Sequence, residues 1–109
     1  MENYQPGEVI LLSYPFTDVT GVKLRPVLVL LDTGDNDILV ARITTKITHT
    51  LYDVQILEFQ VAGLLKQSVV RLHKVNTVEK SLINRRLGML ESSDWEKVRD
   101  KIRQIWSSF

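Results

Sequence analysis

Arg25-Pro26-Val27-Leu28-Val29-Leu30-Leu31, followed by the cluster Asp32-Thr33-Gly34-Asp35-Asn36 and then Asp37–Thr44, decides the fold of this chain. An unbroken run of aliphatic residues, opened by a proline and closed by turn formers, marks a strand covered on both faces. Proline costs no ladder hydrogen bond at the first position of a strand, so the strand is expected to open at Arg25-Pro26. The turn cluster then sends the chain back through Asp37–Thr44, which predicts a β-hairpin.

Working outward, a strand is expected from Glu8 to Phe16, after the punctuation of Pro6-Gly7. Its middle is apolar on both faces, as in a strand with a core on one side and a second covered surface on the other. Polar loops are expected at Thr17–Leu24 and Thr45–Tyr52. A short strand Asp53–Ile56 leads toward Phe59–Leu65, and Ser68–Val75 is the last clear strand. Alternation there puts Val69, Arg71, His73 and Val75 on one face, with Val70, Leu72 and Lys74 on the other.

The pattern then changes. Val78–Arg86 has the look of a short helix or helical turn closed by Gly88. Ser93-Asp94-Trp95-Glu96 fits a capping box with Ser93 as N-cap. Behind it Trp95, Val98, Ile102, Ile105 and Trp106 form an apolar helical stripe, with both tryptophans expected as packing anchors. The expected architecture is mainly β with helical additions (α+β): a small barrel, whose closure removes exposed edges, and a C-terminal amphipathic helix. At 109 residues it forms one domain, 1–109.

Composition excludes several classes. There is no cysteine, hence no disulfide, thiolate metal site or cysteine nucleophile, and with two histidines no metal or other cofactor is expected. The opening Met1-Glu2-Asn3-Tyr4 lacks the charge and apolar run of a secretory signal, and no stretch approaches a membrane span, so a soluble cytoplasmic protein is expected. Net charge is only +1, but eleven basic residues from Lys66 to Arg103, counting His73, face five acidic ones. That half is locally basic, as a nucleic-acid surface or as a solvated helix face.

No phosphate-binding glycine loop, nucleophile elbow or paired-histidine helix occurs, so any chemistry must come from placement. Arg25 stands where the glycine-containing loop meets the strong strand; it is either a surface arginine or a fixed phosphate donor. Thr44 and Thr45 end a strand beside the second loop, as simple β-branched closers or as hydroxyl donors. Arg71 and His73 share a strand face, where a histidine is either an ordinary polar residue or an acid–base group.

Taken in order, Gly7-Glu8-Val9-Ile10-Leu11-Leu12-Ser13-Tyr14-Pro15-Phe16, then Arg25-Pro26-Val27-Leu28-Val29-Leu30, resembles the opening of MazF/PemK-family toxins. Val40-Ala41-Arg42-Ile43-Thr44, Gln67-Ser68-Val69-Val70-Arg71 and Arg86-Leu87-Gly88-Met89-Leu90 continue the resemblance along nearly the whole chain. It implies a dimeric, SH3-like barrel of the type shared by CcdB and MazF toxins. It also implies a toxin of a type II toxin–antitoxin system that cuts single-stranded RNA at short sequences (an mRNA interferase) and is silenced by a cognate antitoxin. The implied reaction needs no metal: a ribose 2′-OH attacks the adjacent phosphorus, leaving a cyclic phosphate and a 5′-hydroxyl.

By this resemblance Arg25 and Thr44 are catalytic, and Arg71 takes part as in some relatives. Where some relatives carry an acidic residue two positions after that arginine, this chain has His73, as an acid–base group or as a non-catalytic neighbour. RNA is expected against Tyr14, Thr17, Asp18, Thr20, Lys23, Thr45, Lys46 and Tyr52, in a groove that an antitoxin tail would share. Two other readings use the same architecture: a CcdB-like toxin that poisons a topoisomerase without chemistry, or an inactive binding module.

Overall fold

The computed structural model describes residues 2–15, 22–47 and 49–109, and leaves out the side chains of Tyr14, Pro15 and Val22. Strands β1 (Glu8–Pro15), β2 (Val22–Leu31), β3 (Asp37–Thr44), β4 (Asp53–Ile56), β5 (Ser68–Glu79) and β6 (Ile83–Met89) precede one helix, α1 (Ser92–Ser107). They form a single antiparallel sheet in the order β4-β5-β3-β2-β1-β6. Among the described residues no helix is long and apolar enough to cross a membrane.

Both faces of the middle strands are covered, as the apolar runs require. Val9, Leu28, Ala41, Ile43, Ile56 and Val70 form one core with Val98 of α1, and Trp95, Ile102 and Ile105 pack onto it. The alternate residues Ile10, Leu12, Val27, Val29, Ile38 and Val40 form a second core beneath Tyr4, Val78, Leu82 and Ile83. Trp106 departs from the expected stripe: it is 75% exposed and meets only Phe109 edge-on among the ring contacts described. Trp95 is the packing anchor.

The expected barrel is not closed, since β4 and β6 share no ladder. The two edges meet instead through the turn after β4. The Gly63 backbone lies so close to β6 that a Cβ there would sit 2.2 Å from the Leu87 carbonyl oxygen. A Cβ on Gly88 would come within 2.7 Å of the Ala62 carbonyl. Gly88 therefore belongs to a strand pressed against a turn, and does not end a helix. The Val78–Arg86 helix reduces to a 3-10 turn at Lys80–Leu82, with β5 running to Glu79 and β6 starting at Ile83. Period reading fails here because the short turn interrupts two strands.

Two further expectations change. Strand β2 begins at Val22, so Pro26 is internal and pairs with Leu11. It is tolerated because β2 gains its second neighbour, β3, only from Val27 onward. The N-cap of α1 is Glu91, whose carboxylate accepts from the Ser93 amide and hydroxyl. Those bonds, the hydroxyl's first, hold the Glu91 carboxyl below its usual value. Asp94 is buried and turns away from the cap: its oxygens accept from Leu57 N–H at 3.1 Å and Glu58 N–H at 2.9 Å, tying the turn after β4 to the helix.

At the opposite end Asp32 gathers three segments. It forms an ion pair with Lys80 Nζ at 2.8 Å and accepts from Tyr4 N–H at 2.7 Å and Gly34 N–H at 2.8 Å. The lysine contact above all, then the Tyr4 amide, lowers the Asp32 carboxyl to about 2, against the opposing effect of burial. A carboxyl depressed by folding contributes stability above its unfolded value and loses it as pH falls through the folded one. Wild-type protein should therefore lose stability between about pH 4 and 2, the range between the unfolded and folded values. In urea melts, Asp32→Asn should be less stable at neutral pH and flatter across that window; an unchanged acid slope would contradict the assignment.

Gly63 and Gly34 separate the closing contact from ordinary backbone strain. Both have positive φ, at 80° and 89°, but nothing lies within 4 Å of a Cβ built on Gly34. Gly34→Ala should cost about 1–2 kcal/mol, the left-handed penalty alone. Gly63→Ala should cost clearly more or prevent folding, and equal melting shifts for the two would mean that the turn–β6 contact is loose.

Candidate active site

Strand register brings the two principal candidates together. Val27 of β2 pairs with Arg42 of β3, and the described β2–β3 ladder stops there. Arg25 lies two residues beyond Val27 and Thr44 two beyond Arg42, each on the face of its strand that carries its partner. The pair thus flanks the point where β2 and β3 part. Arg25 is not at a loop junction as expected. It lies inside β2 opposite Leu12, a fully buried residue, so its backbone is fixed while its side chain is exposed.

A cleft of about 360 Å³ opens at this point. Arg25, Arg42, His73 and Lys74 supply its charge or polarity together with Asn76, while Val27, Val40, Ile43 and Val75 supply apolar wall. No carboxylate is among these residues. Thr44 stands outside the lining, half-buried at the strand end, where its Oγ1 accepts from the Lys46 N–H at 3.1 Å. That bond leaves the hydroxyl hydrogen available to a ligand oxygen.

The β3–β5 ladder breaks beside the cleft. Ala41 pairs with Val75, but Arg42 pairs with Arg71, so Leu72, His73 and Lys74 have no partner on β3. Such a bulge re-aims side chains. It cancels the simple alternation expected for this strand: Val69 is buried, Val75 is half exposed, and Lys74 joins His73 at the cleft. Leu72 instead donates its N–H to the Tyr52 carbonyl at 2.9 Å.

Arg71 lies next to the cleft and is held from two sides. Its Nε donates to Asp53 Oδ1 at 3.3 Å, and Nη2 lies 3.2 Å from His73 Nε2. A guanidinium can only donate, so this contact is a hydrogen bond in the tautomer that leaves Nε2 as acceptor. The Tyr52 ring, partly exposed, stands 5.5 Å from the His73 ring. Arg71, His73 and Tyr52 thus form one contiguous group anchored on buried Asp53.

Of the expected RNA contacts, Lys23, Thr45 and Lys46 are exposed along the strand ends near Arg25 and Thr44. Thr17, Asp18 and Thr20 lie outside the described residues, as does the side chain of Tyr14, whose backbone pairs with Lys23. Arg42, Lys74 and Asn76 were not singled out by sequence. Arg42 had a signal, sharing a strand face with Thr44; Lys74 had none, because only the bulge brings it in.

Among solved structures with this fold, the Mycobacterium tuberculosis toxin MazF-mt6 superimposes with a TM-score of 0.71 at 24% identity, covering 90% of this chain and 96% of that one. An endoribonuclease from a mycobacterial species, solved with its cognate antitoxin, gives 0.77 at 15% identity over 96% of each chain. The MazE–MazF complex of Deinococcus radiodurans gives 0.76 at 15% identity over 95% of this chain and 96% of that one. At such identities these likenesses establish the fold. No curated protein matches the chain by sequence. The family model for PemK-like, MazF-like toxins matches residues 5–106, nearly the full length. The chain therefore belongs to the PemK-like, MazF-like family of toxins of type II toxin–antitoxin systems.

Proposed function

We propose that this toxin is an endoribonuclease that cuts single-stranded RNA without a metal, at the junction of Arg25 and Thr44. The observation that carries this reading is the Val27–Arg42 register, which brings Thr44 near Arg25, a residue of a cationic cleft with no acidic lining. In the reaction the 2′-oxygen bonds to the neighbouring phosphorus while the bond to the 5′-oxygen breaks. The 2′-hydroxyl proton leaves and the 5′-oxygen gains one, giving a cyclic phosphate and a 5′-hydroxyl. Negative charge concentrates on the non-bridging oxygens of the pentavalent state, and fixed donors stabilise it more than the ground state.

Arg25 supplies that charge as a donor; its guanidinium is a poor general base at ordinary pH. Thr44 holds an oxygen through its hydroxyl. Arg71, aligned by Asp53, adds a second guanidinium beside the cleft. His73 is auxiliary, because its Nε2 already contacts Arg71 Nη2. A splayed single strand suits in-line attack, with Tyr52 as a stacking surface and Lys23, Thr45 and Lys46 along the backbone path. The protein acts in the cytoplasm as a homodimer. A cognate antitoxin, such as those seen with related toxins, silences it by occupying the same groove.

The test is incubation of purified protein with a long unstructured RNA in EDTA. Wild type should give discrete fragments with 5′-hydroxyl ends. Arg25→Ala should slow cleavage by on the order of a hundredfold or more, the usual cost of one transition-state donor. Thr44→Ala should also slow it, with circular dichroism confirming that loss of the Lys46 bond leaves the fold intact. Intact RNA from folded wild type would overturn the nuclease reading in favour of a toxin that acts by binding, with topoisomerase inhibition the next assay. His73→Ala should cost less than the roughly 10²–10⁴-fold of a lost general acid or base. Abolished cleavage at unchanged RNA affinity would make His73 catalytic.

A further inference from the structure

Two cations of the cleft are uncommitted. Arg42 and Lys74 are both exposed, both line the cleft, and neither makes a hydrogen bond or ion pair with any described residue. Three basic groups elsewhere in the fold are spent internally. Arg86 serves Glu8, Glu2 and the Asn3 carbonyl, Lys80 serves Asp32, and Arg71 serves Asp53.

The two reach the cleft by different routes. Arg42 follows from the β3 face that also carries Val40 and Thr44. Lys74 arrives only through the three-residue break in the β3–β5 ladder. Holding two like charges beside one cleft without an acidic neighbour costs electrostatic energy, and an anion seated between them recovers it. The exposed Val75, backed by the buried Val27 and Val40, asks the same ligand for a flat, uncharged part. A nucleotide has both.

We propose that Arg42 and Lys74 form a phosphate seat for the RNA strand next to the cleaved linkage, with the attached base against Val75. This rests on the nuclease reading for the identity of the strand, while the seat itself is a binding function. Its residues position the substrate; they are not catalytic. Because backbone phosphates are common to all sequences, the seat contributes affinity and register rather than base choice.

The test uses a short single-stranded RNA of randomised sequence, 2′-O-methylated throughout so that it cannot be cut. Its dissociation constant is measured across about 50–200 mM salt. Each phosphate contact to a single strand contributes about 0.7 to the slope of log affinity against log salt. Arg42→Ala and Lys74→Ala should each reduce that slope by about 0.7, and Arg42→Lys should restore it. Arg103→Ala, which removes a cation paired with Asp100 on α1, should leave it unchanged. Thermal melts confirm that these exposed substitutions leave the fold intact.

The outcomes separate the two readings. Wild type that binds this RNA with an Arg42-dependent slope yet leaves ordinary RNA uncut would sink the nuclease and keep the seat. Wild type that cuts RNA while Arg42→Ala and Lys74→Ala keep the full slope would sink the seat and keep the nuclease. A wild type with no affinity for the methylated strand overturns the seat, and the cleavage assay then decides the nuclease on its own.

Discussion

The Asp94 carboxylate, fully buried in the first turn of α1, holds the amides of Leu57 and Glu58, and the shape of the sheet follows from that hold. A hydrogen bond to a charged acceptor contributes about 1.5–3 kcal/mol, so the two together outweigh most single contacts in a domain of this size. They place the turn after β4 so that Gly63 meets Leu87 and Ala62 meets Gly88. The two outer strands are thereby drawn together without a hydrogen-bonded ladder between them. Val98, packed into the same core one turn further along α1, keeps the carboxylate from water.

The β3–β5 ladder does not keep one register along its length. Its break falls at Leu72–Lys74, directly beside the point where β2 and β3 part. The cleft therefore lies at the meeting of two irregularities, one ladder that ends and one that skips. Leu72 fills the core and bonds Tyr52, which fixes the bulge from below while His73 and Lys74 face outward. The rigid side of the site is β2, where Arg25 stands over buried Leu12.

How much of this was legible in the sequence depends on the range of the forces involved. Strands β3 and β4 appear at their expected bounds, because each is a short apolar segment between polar turns. Thr44 was legible as the end of a strand, and Arg25 was singled out through the resemblance although it lies inside β2 and not at its start. Their proximity was not legible, since it depends on pairing between strands that no local pattern specifies. The capping box misled because Ser93 and Glu96 match the motif while Glu91, two residues earlier, competes for the same amide and wins. The helix expected at Val78–Arg86 misled for a related reason. Val78, Leu82 and Ile83 have helical spacing, yet they pack on one core from a strand, a 3-10 turn and another strand.

The net charge of +1 also hid the site, and the structure shows how. Much of the acidic complement is satisfied by the backbone rather than by basic side chains. Asp94 binds two amides, Glu91 binds the Ser93 amide, Asp35 binds the Asp37 amide, and Asp32 and Glu8 bind the amides of Tyr4, Gly34 and Gln5. Glu91 and Asp35 are held in this way without a lysine or arginine, whereas Asp32, Glu8 and Asp94 also pair with Lys80, Arg86 and Lys97. Arg42 and Lys74 are among the basic groups without a carboxylate partner, and the fold puts both beside one cleft. A total charge near zero is therefore compatible with a strongly cationic site, because a polyanion responds to the local field within about 10 Å, the screening length at ordinary salt, and not to the sum over the molecule.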